Sequence, residues 1–211
     1  MSRPRCSRCQ RPSSLCLCAL IPTLNSRTQV LILQHSSEAS HALNTARLAA
    51  LGLRNAELRV GECFEDDSDA ARPSYLLFPG EGAVPLGSLA GAAQPVRLIV
   101  PDGTWRKARK ILHVNPWLAG LPRVALPEGL SSRYRLRKAP EPGALSTIEA
   151  IVVALEAIEK PALFGELLRP FEALIEGQIA AMGAETYQRN HAGGAATAAL
   201  ENGPDAPEQA D

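Results

Sequence analysis

Four thiols stand within one short stretch, Cys6, Cys9, Cys16 and Cys18 of CSRCQRPSSLCLC, spaced as a C-x2-C followed by a C-x-C. Tetrahedral zinc takes four thiolates, and so short a segment delivers them only if two tight turns each present a pair. Arg11-Pro12-Ser13-Ser14 supplies the reversal between the pairs. The competing interpretation is a cysteine-rich tail that holds no metal. Arg3, Arg5, Arg8 and Arg11 are interleaved with the thiols, where they favour the thiolate form and can touch phosphate. Cys63 stands alone and is expected to be an ordinary half-buried residue.

A second constellation lies where the apolar run RLIVP breaks at Pro101-Asp102-Gly103 and a basic helix begins. Gly103 permits a tight turn, and the exposed N–H groups of a helix starting near Thr104 or Trp105 can hold a carboxylate. Asp102 then faces the same pocket as a base or as the partner of an amine or hydroxyl, or else serves as the helix N-cap. Trp105 is a core anchor or a stacking platform. In QHSSEASHALNT, the residues His35, Glu38, His41, Asn44 and Thr45 match no standard zinc spacing, so no second metal is expected there. His35 and Glu38 are placed at the pocket mouth, and Asn44 and Thr45 as capping or binding groups. SSRYRLRKAP sets Arg133, Arg135 and Arg137 at alternate positions, so an extended loop turns all three to one side and can track a phosphate backbone. Tyr134 between them can stack on an unpaired base.

The elements that must position these groups alternate strand and helix. TQVLILQH is a continuous apolar run suited to a strand buried on both faces, and SHALNTARLAALGL carries apolar residues at helical spacing up to Gly52. AELRV, SYLLFPG, PVRLIVPDG and PRVALP read as four further strands, with acidic EDDSDAARP as a loop. Ser146 and Glu149 form an S-x-x-E capping box ahead of a striped helix, and a later helix bounded by Pro161 and Pro170 runs through FEALIEGQIAAM. The fold class is therefore α/β, a mostly parallel sheet with flanking helices, and ligands of such sheets gather at the carboxyl ends of the strands. The expected organisation is a small zinc-binding module of four cysteines over 1–24, a catalytic domain over 25–185 and a disordered tail over 189–211, rich in Ala, Gly, Pro and acid. No P-loop, G-x-G-x-x-G or G-x-S-x-G motif is present, which disfavours a P-loop NTPase, an ordinary Rossmann dehydrogenase and an α/β-hydrolase.

Formal net charge is zero, yet its distribution is uneven. Cations from Arg97 to Lys138 face only Asp102 and Glu128, whereas the chain after Ala139 is acidic. A polyanionic partner fits the basic block, and solvated helix faces are the bland alternative. No apolar run reaches the roughly 20 residues of a membrane span and no secretory signal opens the chain, so a cytoplasmic location is expected, where clustered thiols are read as metal ligands first.

Taken in order, CSRCQRPSSLCLC, LQHSSEASHALNTARL, LLFPGEGA, VPDGTWRKARKI, SSRYRLRKAP and LSTIEA resemble the DTW-domain family, whose Asp, Thr and Trp correspond to Asp102, Thr104 and Trp105. The likeness runs from Cys6 to about Gly183, with Ser36 standing where the family has a proline after the Gln-His. The resemblance implies a SPOUT-like, trefoil-knotted fold and a tRNA-uridine aminocarboxypropyltransferase. Such an enzyme moves the 3-amino-3-carboxypropyl arm of S-adenosylmethionine to N3 of a tRNA uridine, in the variable loop for bacterial members, and releases 5'-methylthioadenosine. It implies Asp102, Thr104 and Trp105 at the catalytic centre, and Phe78, Pro79, Pro101, Asp102, Gly103, Trp105, Leu136, Ser146 and Thr147 around the cofactor. It further implies His35, Arg106, Lys107, Arg109, Lys110, Arg133, Tyr134, Arg135 and Arg137 on RNA, with structural Zn2+ on the four cysteines. All three carbons on a sulfonium are electrophilic, so the carbon presented to the nucleophile decides the product. The alternatives are a methyltransferase of the same fold and a non-catalytic zinc-containing RNA-binding module.

Overall fold

The apolar run after Thr28 forms β1 (Gln29–His35), buried from Val30 onward. Its side chains alternate between two cores, Val30 and Ile32 in one and Leu31 and Leu33 in the other, as period-2 geometry requires of a strand covered on both faces. Around it stand β2 (Ala56–Gly61), β3 (Ser74–Leu77), β4 (Val84–Pro85), β5 (Arg97–Asp102) and β6 (Arg123–Ala125). The pairings of these strands are parallel, in the order β2-β1-β5-β3-β6-β4. The expected strands are all present; β4 is the addition, two exposed residues too short to leave a periodic signal. This computed structural model describes residues 4–67, 69, 71–134, 144–183 and 186–187. Arg135, Leu136, Arg137 and the expected tail over 189–211 lie outside the described residues.

The helices are α1 (Thr45–Gly52), α2 (Trp105–Val114), α3 (Pro116–Ala119), α4 (Thr147–Ile158) and α5 (Arg169–Met182). Residues of α1, α4 and α5 share the larger core with Val30, Ile32, Leu98 and Val100, while Ile111 of α2 and Leu118 of α3 cover Leu31, Leu33, Leu76 and Ile99 on the opposite face. The result is a three-layer helix–sheet–helix arrangement. Helix α1 begins at Thr45, later than the apolar spacing from Ala42 suggests, because the Asn44 side chain accepts the Arg47 N–H at 3.0 Å and so caps the helix there. Pro170 occupies the first turn of α5, where its missing N–H costs nothing. Cys9, Leu17 and Ile21 are buried in the larger core, so the cysteine segment packs directly on the sheet-and-helix body. Cys63 is exposed, not half-buried as its surroundings in the sequence suggested. No helix among the described residues is long and apolar enough to cross a membrane.

Candidate functional site

The carboxyl ends of β3, β5 and β6 open on a cavity of about 390 Å3. Leu77 ends β3 and Phe78 and Pro79 follow it; Pro101 lies in β5 and Gly103 just after it; Val124 and Ala125 end β6 and Leu126 and Pro127 follow; Trp105, Ser146 and Thr147 come from the starts of α2 and α4. A size of this order and a mostly apolar wall suit a small organic ligand. Phe78 and Trp105 meet edge to face, centroids 5.5 Å apart, and form one side of it. Glu128 is the one carboxylate on the wall among the described residues. Of the residues expected around a cofactor, Phe78, Pro79, Pro101, Gly103, Trp105, Ser146 and Thr147 line the cavity together. Gly103 has φ +152°, and a Cβ there would meet the Lys107 Cβ at 2.9 Å, so the turn from β5 into α2 demands glycine.

Asp102, expected to face the pocket or to cap α2, does neither. It ends β5, is 8% exposed and is absent from the cavity wall. The cap falls instead to Thr104, whose hydroxyl accepts the Lys107 N–H at 3.4 Å, leaving the N–H groups of Trp105 and Arg106 without intrahelical acceptors. The Asp102 carboxylate accepts from Gln34 Nε2 at 2.7 Å and, on its other oxygen, from the Thr147 hydroxyl in a short hydrogen bond. Gln34 in turn pairs amide to amide with Asn44, 3.1 Å in both directions. A buried carboxylate thus sits behind the cavity, with Thr147 between it and the space. Gln34 and Asn44 were not expected to support Asp102; the available signal was a polar glutamine closing the otherwise apolar VLIL run.

Glu149 does more than close a capping box. Buried at 5% exposure, its carboxylate accepts from Ser146 N (2.8 Å) and Ser146 Oγ (2.6 Å), and also from Ser132 Oγ (2.8 Å) and Arg133 N (2.6 Å). It therefore ties the segment carrying the wall residues Ser132 and Tyr134 to the start of α4. In Glu149→Gln one amide nitrogen must face a donor, so at least one of these donors loses its acceptor. The expected cost is about 1–3 kcal/mol, read as a lower urea midpoint at unchanged slope, together with a raised KM for the ligand of the cavity.

The cations expected on RNA are differently placed from one another. Arg106 and Arg109 are exposed and have no ion-pair or hydrogen-bond partner among the described residues. Lys107 is paired with Glu38 at 2.6 Å, Lys110 with Glu62 at 2.5 Å and Arg133 with Glu172 at 2.7 Å. The Lys110 ammonium holds the Glu62 carboxyl below its ordinary pKa. His35, expected at the pocket mouth and on RNA, is 7% exposed, with Nε2 3.1 Å from Glu62 and Nδ1 3.0 Å from the Ser37 hydroxyl. Neither His35 nor Glu38 lines the cavity. Tyr134 lines it and packs on Phe171, centroids 5.7 Å apart, so it is a wall as well as an aromatic face.

At the other end of the chain the four expected thiols converge, with all Sγ atoms within 4.8 Å of one another. The turn closed by Gln10 N to Cys6 O (2.9 Å) presents the first pair and puts Gln10 at φ +61°. Cys6 and Cys18 sulfurs lie 3.6 Å apart, and Cys9 and Cys16 sulfurs 3.8 Å. These separations exceed the roughly 2 Å of a disulfide and match the about 3.8 Å between ligands of a tetrahedral zinc with 2.3 Å bonds. Backbone N–H groups of Cys9 and Arg8 bring the Cys6 thiol down to about 6, whereas burial, followed by the hydrogen bond to Cys6, pushes Cys18 up to about 12. A bound cation would displace protons from such a set.

A family model described as DTW domain matches residues 3–179 of the chain. The chain is 35% identical over 191 residues to "tRNA-uridine aminocarboxypropyltransferase 2" of Macaca fascicularis, covering 84% of this chain and 64% of that protein. It is 33% identical to the Drosophila melanogaster protein of the same name, covering 84% and 76%, and 28% identical to "tRNA-uridine aminocarboxypropyltransferase A" of Arabidopsis thaliana, covering 74% and 73%. The chain thus spans less than two thirds of the macaque relative. No solved structure matches significantly.

Proposed function

The chain belongs to the DTW-domain family, and from that premise we propose that it is a tRNA-uridine aminocarboxypropyltransferase acting with S-adenosylmethionine. The observation that carries this is the cavity at the ends of β3, β5 and β6, which lies within the residues matched by the family model. Its chemistry fits the donor. The apolar wall of Leu77, Val124 and Leu126 suits an adenine, and the aromatic pair Phe78 and Trp105 suits a sulfonium. The N–H groups of Trp105 and Arg106, which have no intrahelical acceptor, suit an amino-acid carboxylate. Once bound, S-adenosylmethionine supplies an electrophilic carbon at the root of its amino-acid arm. Uridine N3 forms a bond to that carbon, the carbon–sulfur bond breaks with its electron pair going to sulfur, 5'-methylthioadenosine leaves, and the N3 proton passes to solvent.

The chain's own groups orient this exchange. Thr147 offers its hydroxyl oxygen to the cavity while its proton is held by Asp102, so the carboxylate's negative charge is presented through Thr147. That suits it to receive the arm's ammonium. The exposed guanidiniums of Arg106 and Arg109, within a turn or so of Trp105, supply phosphate contacts to the tRNA. We assign zinc to Cys6, Cys9, Cys16 and Cys18 on the sulfur separations, in a reducing cytoplasm where thiols persist. A SPOUT-like knot is proposed with the assignment, on the resemblance to the family; the parallel sheet covered by helices on both faces is compatible with it.

The test is incubation of the purified chain with unmodified tRNA and S-adenosylmethionine, followed by nucleoside mass spectrometry. The expected product is uridine bearing the aminocarboxypropyl group, with 5'-methylthioadenosine released in equal amount. A methylated nucleoside, or no change in mass, refutes the assignment.

A further inference from the structure

A second cleft, of about 140 Å3, lies between the cysteine segment and the start of α1. Arg5 and Arg11 line it from one side, His41 and Arg47 from the other, and no carboxylate among the described residues lines it. Arg11 is committed to structure: its Nε donates to Leu15 O at 3.0 Å and its Nη1 to Ala42 O at 2.7 Å, which joins the two sides. Arg47 is not. Its guanidinium has no hydrogen-bond or ion-pair partner among the described residues, and its Nε is buried with no acceptor. Burying a cationic donor unanswered is costly, so a guanidinium kept only for packing would be expected beside an acid or a carbonyl. Asn44 and Leu48 of the same wall belong to the cap and first turn of α1, whose dipole adds to the positive potential.

We infer that this cleft is an anion site that receives one phosphodiester of the substrate RNA, with Arg47 as its principal donor and Arg5, which spends only Nη1 on Gln10 O at 3.3 Å, as the second. A space of this size takes a phosphate group but not a nucleoside, and three arginines without an acid among the described lining residues select for negative charge. The cleft shares no lining residue with α2 among the described residues and gives the cysteine segment a part in gripping RNA. It rests on the assignment of tRNA as substrate.

The zinc-loaded full chain is titrated into a fluorescently labelled tRNA transcript at several salt concentrations, about 50 to 200 mM, and read by anisotropy. Arg47→Gln keeps its backbone N–H on Asn44, so the start of α1 is preserved. It is expected to weaken binding about five- to tenfold and to reduce the slope of log affinity against log salt by about 0.7–0.9. Arg5→Gln, on the opposite wall, is expected to do the same independently, and Arg47→Lys to keep most of the affinity. Wild-type binding that neither glutamine variant changes overturns the cleft alone and leaves the tRNA assignment standing. A wild-type chain that does not bind tRNA overturns both.

Discussion

Asp102→Asn is expected to lower kcat/KM for aminocarboxypropyl transfer by about 100- to 1000-fold while leaving the fold intact. The substitution is isosteric, and the buried site can accommodate it. The asparagine oxygen can accept from Gln34, and the Thr147 hydroxyl can reverse to accept from the new amide. What is lost is the negative charge behind the cavity and the orientation of the Thr147 lone pairs toward it. Thr147→Val removes the same link from the other side and should cost a similar factor. The double variant should be little worse than either single, since both break one connection. Transfer rates on tRNA, with the thermal midpoint of each variant as a check on folding, decide the matter. Full activity in Asp102→Asn would show that the carboxylate's charge has no part in the reaction.

Cys9→Ser should have the largest effect on stability. Cys9 is a proposed zinc ligand and is also buried in the core with Leu17 and Ile21, so metal loss and unpacking occur at one place. Bound zinc is expected to fall from about one per chain to near zero by elemental analysis, and the thermal midpoint by about 10 °C or more. A strong chelator should reproduce both changes in the wild type. Unchanged metal content and midpoint in Cys9→Ser would remove the cysteines from any metal-binding role.

Much of this was legible because the groups concerned are local in sequence. The C-x2-C and C-x-C pairs, the turn at Gly103 and the capping box at Ser146 each depend on residues a few positions apart, and each is present. The parallel sheet could be read from apolar runs alternating with helical spacing. What could not be read is long-range pairing. Lys107 and Lys110 have the same charge as Arg106 and Arg109 in a sequence, but Glu38 and Glu62, folded over from the segments after β1 and β2, occupy the two lysines. Asp102 before a helix has the pattern of a cap, yet Thr104 takes that place because the chain needs two more residues to turn out of β5. Glu149 could be assigned to Ser146, three residues away, but not to Ser132 and Arg133, reached only across the cavity wall.

The line of buried polar side chains from Asn44 through Gln34 and Asp102 to Thr147 joins the first residues of two helices that are about a hundred positions apart in the chain. Each member answers its neighbour, so only a replacement that keeps a partner for both neighbours, as asparagine does at Asp102, leaves no polar group stranded. Their substitutions should be strongly epistatic. In evolution this quartet would drift as a block, if it drifts at all, while the apolar residues packed around it remain free to vary one by one.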